Sequence, residues 1–181
     1  MPSRAGHLLI ASPRLRDPNF AQTVVLIVRE DDEGALGLVL NRPLEVSVAE
    51  ACADQLEAAA DVEAPIYRGG PCEGPLMILH AASEFVGDKI VDGVRFSADK
   101  EEIEKLMWDN PADVRYYAGY AGWAAKQLDN EIEEGGWLLT PAQSKHVFQM
   151  PHNALWPKLT TWMTMQGRVD IDRLPDDPSV N

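Results

Sequence analysis

Cations are scarce in this sequence. Its 181 residues carry 16 Lys and Arg against 29 Asp and Glu, a formal charge of −13, with a pI near 4.6. Binding to a phosphate backbone draws its sequence-independent energy from Lys and Arg that release counterions, so this surface repels DNA and RNA. Direct nucleic-acid binding is therefore disfavoured. The nearest exception is Arg4, Arg14 and Arg16, which read as a solvated N-terminal segment with structural arginines rather than a DNA-contacting arm.

Long apolar runs are missing too. No stretch of about 18 apolar residues occurs, which excludes a membrane-spanning helix. The N-terminal apolar run, Leu8 to Ala11, is too short for a signal-peptide core, so the chain is expected in the cytoplasm. Two cysteines, Cys52 and Cys72, and four dispersed histidines supply no disulfide framework, CxxC pair or zinc spacing. A reactive thiolate at Cys72 would need cationic neighbours, and Arg68 is the nearby candidate. GxSxG, HExxH, GxxxxGK(S/T) and GxGxxG after a strand are all absent, so no cofactor is expected.

What is present is an ordinary globular composition, 45% hydrophobic with five Trp, in a chain long enough to bury roughly 70% of its unfolded surface. One domain is expected over residues 1–167. The stretch 168–181, with two prolines and several acids among few large apolar groups, reads as an acidic, flexible tail.

Apolar, β-branched runs predict strands over 7–11 and 22–29, the second buried on both faces, joined by a long loop containing Pro13 and Pro18. An acidic turn at 30–34 leads to a third strand over 35–40 in hairpin order. Ser47 and Glu50 have capping-box spacing and predict a helix over 48–59. Strands follow through Ile66 and Tyr67, over 76–80, and over 90–96. A helix capped by Ser97 is expected over 99–108. The run 114–122 reads as a strand closing on a glycine turn, and 123–133 as a helix ending at Gly135 and Gly136. A strand over 137–139 and helices over 141–148 and 154–165, the last started or interrupted at Pro157, complete the reading. Strands and helices do not alternate regularly, so the fold class is α+β, with a largely antiparallel or mixed sheet and helices packed against it.

Residues at strand and helix ends are the natural site candidates. They are Asn41 and Arg42 before Pro43, Gly69 and Gly70 before Pro71, His80 ending an apolar strand, and Tyr120, Gly122, Trp123 and Gln127. If they converge, Arg42, His80 and the amides opening a helix at Trp123 would form a pocket for a small anionic or carbonyl-bearing ligand, walled by Tyr120 or Trp123. The alternative is scaffolding, in which Arg42 bonds loop carbonyls while His80 and Trp123 fill the core. The functional reading is a protein-interaction or small-ligand-binding module. An enzyme using Arg42 and His80 is the competing one.

The pieces GHLLIASPRLRDPNF at 6–20, GALGLVLNRP at 34–43, RGGP at 68–71, Leu79 with His80, and AGYAGWAAKQLDNEI at 118–132, in this order and spacing, resemble the bacterial YqgE/AlgH family from Gly6 to about Gly167. The resemblance implies a compact α+β domain on a strongly twisted or bulged sheet. It also implies a label of transcriptional regulator, and motif membership for Asn41, Arg42, Pro43, Gly69, Gly70, Pro71, His80, Gly119, Gly122, Trp123 and Gln127. With so acidic a surface and no helix-turn-helix pattern, such regulation is expected to act through an unidentified protein partner.

Overall fold

The computed structural model describes residues 3–52 and 54–167; the acidic stretch 168–181 lies outside them. Strand β1 (His7–Ala11) leads through a long loop to β2 (Val24–Asp31), which turns into β3 (Gly34–Val39). Then come β4 (Pro43–Ser47), α1 (Val48–Cys52), a 3-10 turn (Glu57–Ala59) and β5 (Pro65–Arg68). Next are β6 (Met77–His80), β7 (Asp88–Val91), β8 (Val94–Ser97) and α2 (Lys100–Asp109). The chain continues with β9 (Val114–Ala118), β10 (Ala121–Ala124), α3 (Gln127–Glu133) and β11 (Trp137–Pro141). It closes with α4 (Ser144–Phe148) and α5 (His152–Met165).

The strands form two sheets, in the orders β10-β3-β2-β1-β11 and β4-β5-β9-β6-β8-β7. All pairs of the first sheet are antiparallel, and the second is mixed because β5 and β9 run parallel. Side chains alternate across a strand, and here both faces of both sheets are covered. Leu8, Ile10, Val24, Leu26 and Leu38 of the first sheet meet Tyr67, Leu79, Phe96 and Tyr117 of the second in a core between them. The opposite face of the first sheet buries Leu9, Val25 and Ile27 with Trp123 and Trp137. The outer face of the second buries Ile66, Ile78 and Tyr116 under α2. Double coverage is why β2 reads as an unbroken apolar run. A register shift between Ile27 and Arg29 bulges its pairing with β3.

The α+β class holds, with two face-packed sheets in place of one. Several local expectations change. The capping box forms, with Glu50 N–H donating to Ser47 Oγ at 3.2 Å and Ser47 N–H to Glu50 Oε2 at 2.8 Å. The helix nevertheless stops at Cys52, because the chain folds back so that Val48 and Ala49 N–H donate to Ala64 and Val62 carbonyls. Its alanines offer too little apolar surface to hold a longer helix. The strand expected over 90–96 is a hairpin, β7 and β8, turning at Gly93 with φ +74°. Asp99, not Ser97, caps α2, its Oδ1 accepting from Glu102 N–H at 3.0 Å. Trp123 lies in β10, paired with Ala35 of β3, so no helix begins there. Pro141 ends β11 rather than starting a helix, and α5 runs through Pro157.

Candidate functional site

The motif residues are engaged in holding the chain's corners. Asn41 Oδ1 accepts Val24 N–H and its Nδ2 donates to Gln22 O, both at 2.9 Å. Arg42 donates to the carbonyls of Pro18, Asn19 and Ala21 at 3.1, 2.7 and 3.1 Å. Together they pin the loop between β1 and β2. Burial lowers the Arg42 pKa from its usual value, with Arg68 adding to the effect and Asp17 opposing it.

Gly69, Gly70, Gly119 and Tyr120 meet where the chain crosses between the sheets. Gly69 N–H donates to Ala118 O, Val39 N–H to Gly69 O, and Cys72 and Tyr120 exchange both backbone bonds. A Cβ on Gly69 would stand 2.2 Å from Gly119 O, and Gly119 itself has φ +73°. Backbone contact this close requires glycine. This corner borders an open hollow of about 580 Å³ in which, among the described residues, Arg68 is the one cation, beside Glu73 and the half-buried Cys72.

Trp123 and Gln127 converge on Glu131. Its Oε2 accepts the Trp123 and Trp137 indole N–H groups at 2.9 and 2.8 Å, and its Oε1 accepts Gln127 Nε2 at 2.9 Å. Phe20 stacks on Trp123 with centroids 6.0 Å apart. Gly122 lies exposed on β10, where a Cβ would meet the Tyr120 ring. His80 is completely buried, with Nδ1 3.1 Å from Ala82 O and Nε2 against the Val86–Gly87 backbone without a hydrogen bond of normal geometry. Burial holds its pKa below the ordinary histidine value.

These residues do not share one hollow. Arg42 immediately precedes β4, whereas His80 is in β6, and β5 and β9 lie between those strands, about 14 Å at ordinary strand spacing. Arg42 faces three carbonyls and His80 the interior. Arg4, one of the N-terminal arginines, is an ion-pair partner of Glu30 and lies 2.7 Å from Asp129.

A different concavity carries unspent chemistry. Trp156 Nε1 donates to Ala11 O at 2.9 Å and anchors α5 against β1, while Leu155, Leu159 and Met163 of α5 enter the core between the sheets. Gln149 and Met150 N–H both return to Lys145 O, ending α4 before Pro151. The resulting corner encloses about 440 Å³, lined by Lys145, His146, Met150, Lys158, Leu159 and Trp162 together with the end of β11. No carboxylate of the described residues lines it. Among the described residues neither lysine has an acidic partner within ion-pair distance.

His146 is set with the same economy. Gln143 N–H donates to its Nδ1 at 3.1 Å, so the ring's own proton sits on Nε2. Burial, then the charge of Lys145, holds its pKa below the usual value. The ring is therefore neutral near pH 7, an acceptor at Nδ1 and a donor at Nε2. None of these residues stood among the sequence candidates. The signal was available in the charge pattern: no Asp or Glu occurs between Glu134 and Asp170, in a chain that holds 29 of them.

Among the described residues no three His, Cys, Asp or Glu side chains group to hold a metal ion, and no helix is long and apolar enough to cross a membrane. Fold and site together define a two-sheet α+β protein with covering helices and a cation-lined hollow. The chain belongs to the AlgH-like family (DUF179), whose sequence profile matches residues 8–168. It is similar to a UPF0301 protein of Chlorobaculum parvum, 35% identical over 161 residues, covering 86% of this chain and 84% of that one. A UPF0301 protein of Streptomyces avermitilis is 35% identical over 190 residues, covering 99% and 96%. The solution structure of the AlgH protein from Pseudomonas aeruginosa superposes with a TM-score of 0.71 at 28% identity, covering 95% and 94%. The crystal structure of DIP2367 from Corynebacterium diphtheriae shares the fold, with a TM-score of 0.68 at 24% identity over 88% and 86%.

Proposed function

We propose that this protein is a binding module that takes a small anionic ligand in the hollow between α4 and α5, and that any regulatory effect follows from that binding rather than from contact with DNA. The observation that carries the reading is charge placement. Among the described residues Lys145 and Lys158 have no ion-pair partner and line a hollow without a carboxylate, beside the neutral His146 imidazole, on a chain whose formal charge is −13. An unpaired cation pair in a concave site raises the local concentration of anions against the repulsion of the remaining surface. The volume lies in the range of roughly 300–1,000 Å³ typical of small-molecule sites. Lysine ammonium groups suit binding as point charges and hold no fixed fork, so the hollow favours recognition over the rigid alignment that catalysis needs.

The test is a calorimetric titration of the wild type and a Lys145→Gln/Lys158→Gln variant with carboxylates and phosphates at constant ionic strength. The wild type binds at least one of these anions. The variant, with unchanged circular dichroism, loses about fivefold in affinity for each lysine removed. Absence of anion binding by the wild type, or equal binding by the variant, overturns the reading.

A further inference from the structure

Resting on that reading, we infer that the ligand of the α4–α5 hollow carries a flat apolar ring as well as its oxyanion head, and that Trp162 is the surface on which the ring lies. The lining divides by chemistry. Lys145, Lys158 and His146 supply charge and a hydrogen-bond donor, while Trp162, Leu159 and Met150 supply an apolar wall. A lone inorganic anion would engage the first group and make no use of the second, in which Trp162 is 40% exposed. The hollow, at about 440 Å³, has room for an organic body beyond the head.

Trp162 is placed for this role by helix geometry. Residues four apart on a helix share a face, so Lys158 and Trp162 stand side by side on α5, charge next to indole. The neighbouring Leu159 and Met163 are buried, at 6% and 3% exposure, whereas Trp162 is 40% exposed. A second hollow of about 350 Å³, lined by Pro157, Thr161 and Met165, shares Lys158 and Trp162 with the first. The indole therefore lines both hollows, the cation-lined one and its more apolar neighbour. Aromatic pairs gain energy beyond the area they bury, and a ring against Trp162 would leave its anionic head beside Lys158.

Head-group identity remains the shared oxyanion chemistry. Carboxylate and phosphate both accept from lysine and from a neutral imidazole N–H, so the experiment separates them. Matched pairs are titrated calorimetrically into the full-length protein: phenylacetate against acetate, phenyl phosphate against inorganic phosphate, and the neutral phenylacetamide as the uncharged control. Tryptophan fluorescence is recorded in parallel.

The ring-bearing member of at least one pair binds about tenfold more tightly than its ring-free counterpart, the factor that one well-placed aromatic contact supplies. It quenches tryptophan emission, and phenylacetamide binds far more weakly. Trp162→Leu brings the ring-bearing anion down to the ring-free level while ring-free binding stays, which a merely misfolded variant would not do. Equal affinities within both pairs, or an unchanged preference in Trp162→Leu, overturn the ring assignment and leave the anion site standing. If no anion binds, or phenylacetamide matches phenylacetate, the anion site itself is overturned.

Discussion

The backbone N–H of Gln143 points at Nδ1 of His146 across 3.1 Å, a contact between the residue before α4 and the ring three positions on. It leaves the imidazole one arrangement for its proton, on Nε2, beside Lys145 in the wall of the hollow. Long-range 1H–15N correlation of the histidine rings at pH 7 is expected to show His146 as the neutral Nε2–H form. His146→Asn, which retains an acceptor near the Nδ1 position, should keep α4 intact and remove the donor from the hollow.

Acid should weaken the fold through two buried histidines. Burial lowers His80, where Arg95 works in the same direction and Glu84 opposes it, and lowers His146, where Lys145 adds to the effect. Below about 6.5 the unfolded chain takes up protons that the folded chain refuses, so unfolding free energy rises with pH through the window under that value. The contribution is fully present above it and is lost as pH falls toward the folded-state values. Urea midpoints measured between pH 5.5 and 7.5, a range chosen around the free-histidine value, should increase with pH. The slope should flatten in His80→Gln/His146→Asn.

Asn41 and Arg42 should prove structural. Removing the Asn41 side chain leaves the buried Val24 N–H without its acceptor, a loss of about 1–3 kcal/mol. Arg42→Met deletes three bonds to the loop between β1 and β2. Chemical denaturation should show both variants destabilised, and calorimetry should show anion affinity within about twofold of the wild type, since neither residue lines the α4–α5 hollow.

The sheet crossing should tolerate change at Cys72 and not at Gly119. A Cβ on Gly119 would meet Cys72 O at 2.7 Å in a left-handed conformation with φ +73°. Gly119→Ala is expected to cost about 3 kcal/mol or more. Cys72→Ser alters a half-buried thiol whose backbone makes the contacts, and should stay within about 0.5 kcal/mol of the wild type. Thermal melts of the two variants check the contrast.

Much of this architecture was legible locally. The apolar runs of β1, β2, β3, β6 and β11 announce themselves, and so do the capping box at Ser47 and the paired glycines after α3, where Gly135 and Gly136 N–H return to Ile132 and Glu131 carbonyls. What escaped depends on distant pairing. Trp123 and Ala124, expected to open a helix, are instead paired with Ala35 and Gly34 of β3, far back in the chain. The Asp92-Gly93 dipeptide is a local turn signal within the stretch expected as one strand over 90–96, and the hairpin turns there. The same division governs the sites. Motif residues at element ends suggested one shared pocket, but Asn41 and Arg42 bond loop backbone, Trp123 and Gln127 converge on the Glu131 carboxylate, and His80 lies buried in β6. Lys145 and Lys158 carry no motif, and they line one hollow only because α4 and α5 fold around the end of β11.

The most direct measurement is a 1H–15N map of backbone shifts as phenylacetate is titrated at fixed ionic strength. The account predicts saturable perturbations concentrated on Gln143–Met150 and Leu155–Met163, with the Asn41–Arg42 and Gly69–Cys72 corners undisturbed. Perturbations centred on those corners, or a weak and unsaturable drift spread over the whole surface, would contradict it.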